Sequence, residues 1–175
     1  MLWKAKQVLN RVILNEMNEI KTAWERYIAE LPPDQNALNR AAFHLLRQGQ
    51  APSVSQLAEI LDLPEAQCRS LIKVMLAIGS VTIDDDRITG AGGLSIVPTF
   101  HQITLADIQL YCWCALDTLG IPAALAEDAD ITSEDGQSGN KLRLRFEAGR
   151  LVDFPNPLRL QLAPPDQTRL LCGGT

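Results

Sequence analysis

Six consecutive residues, Lys141-Leu142-Arg143-Leu144-Arg145-Phe146, alternate cations with bulky apolar side chains. Only an extended strand gathers Leu142, Leu144 and Phe146 on one face and the charges on the other, so this segment reads as a half-buried β-strand. The surrounding sequence continues the pattern. Ala129–Ser133 is a strand candidate before the polar turn at 134–140. Leu151–Phe154 and Leu158–Leu162 follow, separated by Pro155-Asn156-Pro157, and Arg169–Cys172 opens a further strand. The last third of the chain is therefore expected to be β-rich.

The first half has a helical period instead. Leu9, Ile13, Met17, Ile20 and Trp24 form a stripe along a helix from about Lys4 to Glu30, which Pro32-Pro33 stops. A second helix begins after Asp34 or Asn36, carries Leu38, Ala41, Ala42, Leu45 and Leu46, and ends near Gly49. Ser53 or Ser55 caps a short third helix that closes at Asp62-Leu63-Pro64. Glu65–Ile78 is a fourth, with Gly79 as its C-terminal cap. Val81–Ile83, the Asp84-Asp85-Asp86 turn and Arg87–Thr89 form a hairpin. Helix, turn, helix, hairpin is the order of a winged helix. Gly90-Ala91-Gly92-Gly93 reads as a flexible joint, and Leu94–Val97 and Phe100–Ile103 as short strands.

Charge limits the partners. The formal net charge is −5, with 46% hydrophobic and 21% charged residues, which is ordinary for a soluble domain and unhelpful for binding polyanions. A winged helix would normally suggest a DNA-binding regulator, but three aspartates at the wing tip would repel phosphates. No nucleic-acid partner is expected. No apolar run approaches the ~20 residues that span a bilayer, and no secretory h-region follows Met1. A cytoplasmic protein without a membrane partner is expected.

The chemistry concentrates in Leu110-Tyr111-Cys112-Trp113-Cys114-Ala115-Leu116-Asp117-Thr118-Leu119. This reads as part of a helix opened by Thr104, with Asp107 in a variant capping box, and ended by Gly120 and Pro122. Positions three apart share a helix face, so Cys114 and Asp117 point into one space. A soft nucleophile beside a proton carrier suits a thiophilic substrate. An unperturbed thiol, near 8.5, is mostly protonated at neutral pH, and an unperturbed aspartate, near 3.9, is too acidic to hold the proton it would receive. Burial among Ala115, Leu116 and Leu119 would correct the latter. Cys112, two residues away, would face the opposite side of a helix and reads as a buried space-filler. Cys68 reads likewise, His44 and His101 are assigned no role, and Tyr111 and Trp113 read as core or pocket-wall aromatics.

The order Trp113-Cys114-Ala115-Leu116-Asp117-Thr118-Leu119, followed by Pro122, resembles the catalytic helix of organomercurial (alkylmercury) lyases. The resemblance extends from about Pro52, through Val54–Asp62 with Pro64 and the glycines from Gly90, to Cys172. It implies an α+β fold in which a winged-helix-like helical N-terminal part precedes a mixed α/β catalytic part with a small, mainly antiparallel sheet. The expected divisions are N-terminal helices at 1–50, a winged-helix-like module at 51–93 and the catalytic part at 94–175. It implies carbon–mercury protonolysis with Cys114, Asp117 and Cys172 as catalytic residues that transiently hold mercury, and no cofactor. The partners implied are an organomercurial small molecule, then cellular thiols or a mercuric reductase that receive Hg(II). Two departures stand out: Glu134-Asp135-Gly136 replaces a turn where the family often has a supporting cysteine, and the chain ends at Thr175 where family members continue. Two other readings stay open: a non-catalytic thiol protein that binds or senses a thiophilic metal, and a winged-helix transcription regulator.

Overall fold

A computed structural model describes residues 31–136, 138–155 and 158. The helix expected at Lys4–Glu30, the strand expected at Leu158–Leu162 after its first residue, and the strand expected at Arg169–Cys172 lie outside the described residues. Two compact units, Met1–Asn36 and Ala37–Thr175, make up the chain, and the second contains the entire sheet.

Helices α1 (Pro33–Leu46), α2 (Val54–Ile60) and α3 (Glu65–Ala77) come first. Ser53 caps α2 through a reciprocal box: its hydroxyl accepts from the Gln56 N–H at 3.2 Å, and its own N–H donates to Gln56 Oε1 at 3.0 Å. Gly79 follows the end of α3 with φ +68°, a left-handed conformation that suits glycine. Leu38, Ala42 and Leu46 of α1, Leu57 of α2, and Ile72 and Met75 of α3 enter the core. Arg69 on α3 is held by Glu65 at 2.7 Å and by Asp86 of the following turn at 2.5 Å, so its charge is already engaged by two carboxylates.

The strands are β1 (Val81–Asp84), β2 (Arg87–Ala91), β3 (Leu94–Ser95), β4 (His101–Leu105), β5 (Ile108–Cys112), β6 (Ala129–Glu134), β7 (Lys141–Glu147) and β8 (Arg150–Asp153), with helix α4 (Ala115–Leu125) between β5 and β6. They form one eight-stranded sheet in the order β1-β2-β3-β5-β4-β6-β7-β8, antiparallel throughout. Helices packed on an antiparallel sheet give the expected α+β class. Gly90 and Ala91 belong to β2, and Gly92-Gly93 turn directly into β3 with φ of +59° and +84°. The expected flexible joint is therefore a tight hairpin inside the sheet.

The expected helix from Thr104 is a second correction. Thr104 lies in β4, and Ala106-Asp107 form a two-residue turn with φ of +47° and +64°. Paired positive φ values define the hairpin turn whose twist matches the flanking strands, a turn usually marked by glycine or asparagine. Ala-Asp carries no such mark. The apolar run after it is a buried strand, and the helix begins only at Ala115. Gly120 and Pro122 do not end α4 either. Both lie within it, and Ala126 caps it with φ +54°.

Register then fixes the faces. Ile103 pairs with Leu110 and Ile131, and Ile131 with Leu144, which builds one apolar row across β5, β4, β6 and β7. Leu105, Ala129 and Phe146 continue that face in the next row, while Gln109, Asp130, Arg143 and Arg145 point the other way and are exposed. Helix α4 crosses β4 to link β5 with β6, packing on β4, β5, β6 and β8.

Leu110, 1% exposed, sits at the centre of this face. Leu110→Ala should cost about 2–5 kcal/mol in urea unfolding, against about 1 kcal/mol for Ser53→Ala, which removes only a cap. Equal losses would contradict a core organised by the sheet.

Candidate active site

Beyond the apolar rows, the same face changes character. Cys112, His101 and Ser133 stand side by side on β5, β4 and β6, in direct register. His101 Nδ1 is hydrogen-bonded to Ser133 Oγ at 2.6 Å. Burial pushes the His101 imidazole below its ordinary value, with Cys114 pulling the other way. Burial pushes the Cys112 thiol well above the usual thiol range, and Asp117 and Cys114 add to the rise.

The chain leaves β5 at Cys112 and reaches Cys114 as the N-cap of α4, with extended backbone (φ −145°, ψ 169°). Cys114 and Asp117 form a reciprocal cap. The Asp117 N–H donates to the Cys114 sulfur, and the Cys114 N–H donates to Asp117 Oδ2 at 3.1 Å. The thiol itself donates to the same oxygen at 3.0 Å. The spacing of three thus brings the two groups together as expected, but as N-cap and N3 rather than as neighbours along a helix face. The helix N-terminus favours negative charge on either group. Asp117 is only 5% exposed, whereas Cys114 is half-buried.

Two glycines make room for this arrangement. A β-carbon on Gly93 would overlap the Asp117 carboxyl, and one on Gly90 would lie 2.8 Å from Trp113 Nε1. The Trp113 N–H donates to the Gly93 carbonyl at 2.9 Å, tying the residue before Cys114 to the hairpin. Trp113 is half-buried between the β2–β3 hairpin and the start of α4, which makes it a wall of the site.

The expectation for Cys112 changes too. It is fully buried, as expected, but it ends β5 instead of lying on a helix. Sequence reasoning also passed over His101, Gly90 and Gly93. His101 and Gly93 become recognisable only through strand register and the helix cap, although the glycine-rich run Gly90-Ala91-Gly92-Gly93 was a usable signal for Gly90. Cys68 is a core residue whose thiol points at the Val54 carbonyl, 3.7 Å away. His44, exposed near the end of α1, is hydrogen-bonded to Gln48 just beyond it. Cys172 lies outside the described residues. Among the described residues, no set of three or more His, Cys, Asp and Glu side chains is arranged to hold a metal ion, and no helix is long and apolar enough to cross a membrane.

Comparison with known proteins points one way. The family model for alkylmercury lyase matches residues 94–169. An alkylmercury lyase of Bacillus cereus is 32% identical over 131 residues, covering 74% of this chain and 58% of its own length. One of Streptomyces lividans is 36% identical over 130 residues, with 73% and 58% covered. The chain thus spans 58% of the length of these curated relatives. The crystal structure of the mercury-bound form of MerB2 superposes with a TM-score of 0.73 at 31% identity, covering 80% of this chain and 68% of that one.

Two outcomes test the geometry. Gly93→Ala should cost about 1–2 kcal/mol from its positive φ alone, and the displaced Asp117 carboxyl should change the rate at which Cys114 is alkylated. An unaltered alkylation rate would dissociate Gly93 from the carboxyl. For His101, the unfolded chain takes up a proton below about 6.5 while the folded chain resists it, so stability is unaffected above that pH and falls below it. His101→Gln should remove this component, and denaturation curves should show the variant gaining on the native protein only below about pH 6.5.

Proposed function

We propose a function from one premise: this chain belongs to the alkylmercury lyase family. On this reading it is a cofactor-free enzyme that cleaves carbon–mercury bonds by protonolysis. The supporting observation is the thiol of Cys114 hydrogen-bonded to the buried carboxyl of Asp117 at 3.0 Å.

The substrate arrives as R–Hg–SR′, since thiolates outcompete oxygen ligands for a soft cation. Asp117 accepts the Cys114 proton through the bond that already joins them, and the thiolate attacks mercury. Cys172, whose role rests on the family resemblance, supplies a second sulfur, and its proton leaves on the departing R′S⁻ as R′SH. Electron density from the two sulfurs weakens the carbon–mercury bond and makes the carbon basic. Asp117 returns its proton there, R–H departs, and Hg(II) stays on the two thiolates. Protons and charges balance: two thiol hydrogens enter, one leaves on R–H and one on R′SH. Burial of Asp117 keeps bulk water from competing for the proton, and Trp113 bounds the space that the organic group occupies. Hg(II) then passes to cellular thiols or a mercuric reductase, in a cytoplasm that keeps such thiols reduced.

The test is methane release from methylmercury in excess thiol. Cys114→Ser and Asp117→Asn should each lower the rate by at least about 10²-fold, the lower range for a lost proton-transfer group. Asp117→Asn should still capture mercury, because an amide oxygen can maintain the cap. Stoichiometric mercury binding by the unaltered protein with no methane would overturn the lyase reading in favour of a sequestering or sensing thiol protein.

A further inference from the structure

Strands β3 and β4 both pair with β5, one on each side of it, so the segment between them, Ile96-Val97-Pro98-Thr99-Phe100, must cross β5. This crossing is fastened along its length. The Ile96 N–H donates to the Thr89 carbonyl at 3.0 Å, and the Val97 N–H to the hydroxyl of buried Ser95 at 2.9 Å. Pro98 fixes its own φ and favours an extended Val97. The Phe100 carbonyl accepts from the Glu134 N–H at 3.0 Å. Thr99 lies between these anchors. The residue is exposed, yet its hydroxyl is turned onto the end of β5. It accepts from the His101 N–H at 3.1 Å and donates to the Cys112 carbonyl at 2.6 Å. The first bond is local to the turn, whereas the second ties the crossing to a different strand.

The Cys112 carbonyl belongs to the last peptide of β5. The N–H of that same peptide, on Trp113, donates to the Gly93 carbonyl at 2.9 Å. A peptide is a rigid plane, so bonds at both of its polar atoms fix its orientation. Only the φ and ψ of Trp113 then separate it from the Cys114 N–H, which donates to Asp117 Oδ2 at 3.1 Å. Gly93, which receives one of these bonds, also seats the Asp117 carboxyl.

We propose that Thr99 is a positioning residue. Its hydroxyl sets the last peptide of β5, and through it the angle at which Cys114 meets Asp117. It acts through the Cys112–Trp113 peptide and not on the substrate. The consequence for turnover rests on the lyase reading, whereas the consequence for the start of α4 does not. Proton transfer between thiol, carboxyl and carbon is sensitive to alignment, and a misplacement of about 1 Å can cost about 10²-fold in rate.

The experiment compares Thr99→Val, which keeps the shape and loses the hydroxyl, with Thr99→Ser, which keeps the hydroxyl. Site-resolved hydrogen exchange is measured alongside methane release from methylmercury in excess thiol. In Thr99→Val the Trp113 and Cys114 amides should exchange about tenfold faster, the loss of roughly one hydrogen bond, while β7 amides stay protected. Its kcat should fall about tenfold or more with KM changed less than about twofold, and Thr99→Ser should restore both readouts. Unchanged exchange at Trp113 and Cys114 in Thr99→Val would overturn the proposal. So would faster exchange throughout the sheet, a raised KM at native kcat, or a Thr99→Ser protein as impaired as Thr99→Val. Because exchange is read without substrate, the two readings fail separately. A native protein that releases no methane, with the Cys114 amide still freed selectively in Thr99→Val, would lose the lyase reading and keep Thr99 as the residue that sets Cys114.

Discussion

The reciprocal cap between Cys114 and Asp117 joins three parts of the molecule at one point. It starts α4, ends the run out of β5, and seats a carboxyl on the glycine hairpin between β2 and β3. Serine, aspartate or asparagine would make a stronger N-cap, because sulfur accepts hydrogen bonds poorly. What the thiol provides instead is an S–H polarised by a buried carboxyl at the positive end of a helix. Substituting oxygen would retain the cap but lose the affinity for soft metals.

The sheet makes this point rigid. Two rows of apolar side chains lock β5, β4, β6 and β7 in register, and a slip of one residue would turn every one of them to solvent. The row of Cys112, His101 and Ser133 inherits its alignment from those rows. Polar groups at the end of an otherwise apolar face satisfy one another, as His101 and Ser133 do. Register therefore decides the chemistry of the site as much as the local sequence does.

Much of this was legible in the sequence, for physical reasons that differ by element. The Ser53 cap, the Gly79 stop, the acidic hairpin turn and the alternation of β7 each rest on local chemistry, and each is found where expected. The failure lies between Thr104 and Leu125. A short apolar run reads equally as buried strand or helix, and the Ala106-Asp107 turn lacks the glycine that would have marked it. Cys114 and Asp117 survive the misreading because a spacing of three also joins N-cap to N3. Cys112 is buried as expected, but on a strand, where its neighbours are set by register. His101 and Gly93 depend on partners distant in sequence, which one sequence without register cannot supply.

Helix α4 is a weak helix by its own composition. Gly120 costs about 1 kcal/mol relative to alanine and Pro122 about 3 in a helix interior, together more than its cap returns. Eleven residues with such a sequence would not stay helical in water. Packing on β4, β5, β6 and β8 must hold it, through Thr118, Ile121 and Pro122, all buried. The start of α4 is thus placed by tertiary contacts, and its cap contributes little to keeping it there. That separation explains why a thiol can occupy the N-cap at all: the sheet positions Cys114, and the cap does not have to.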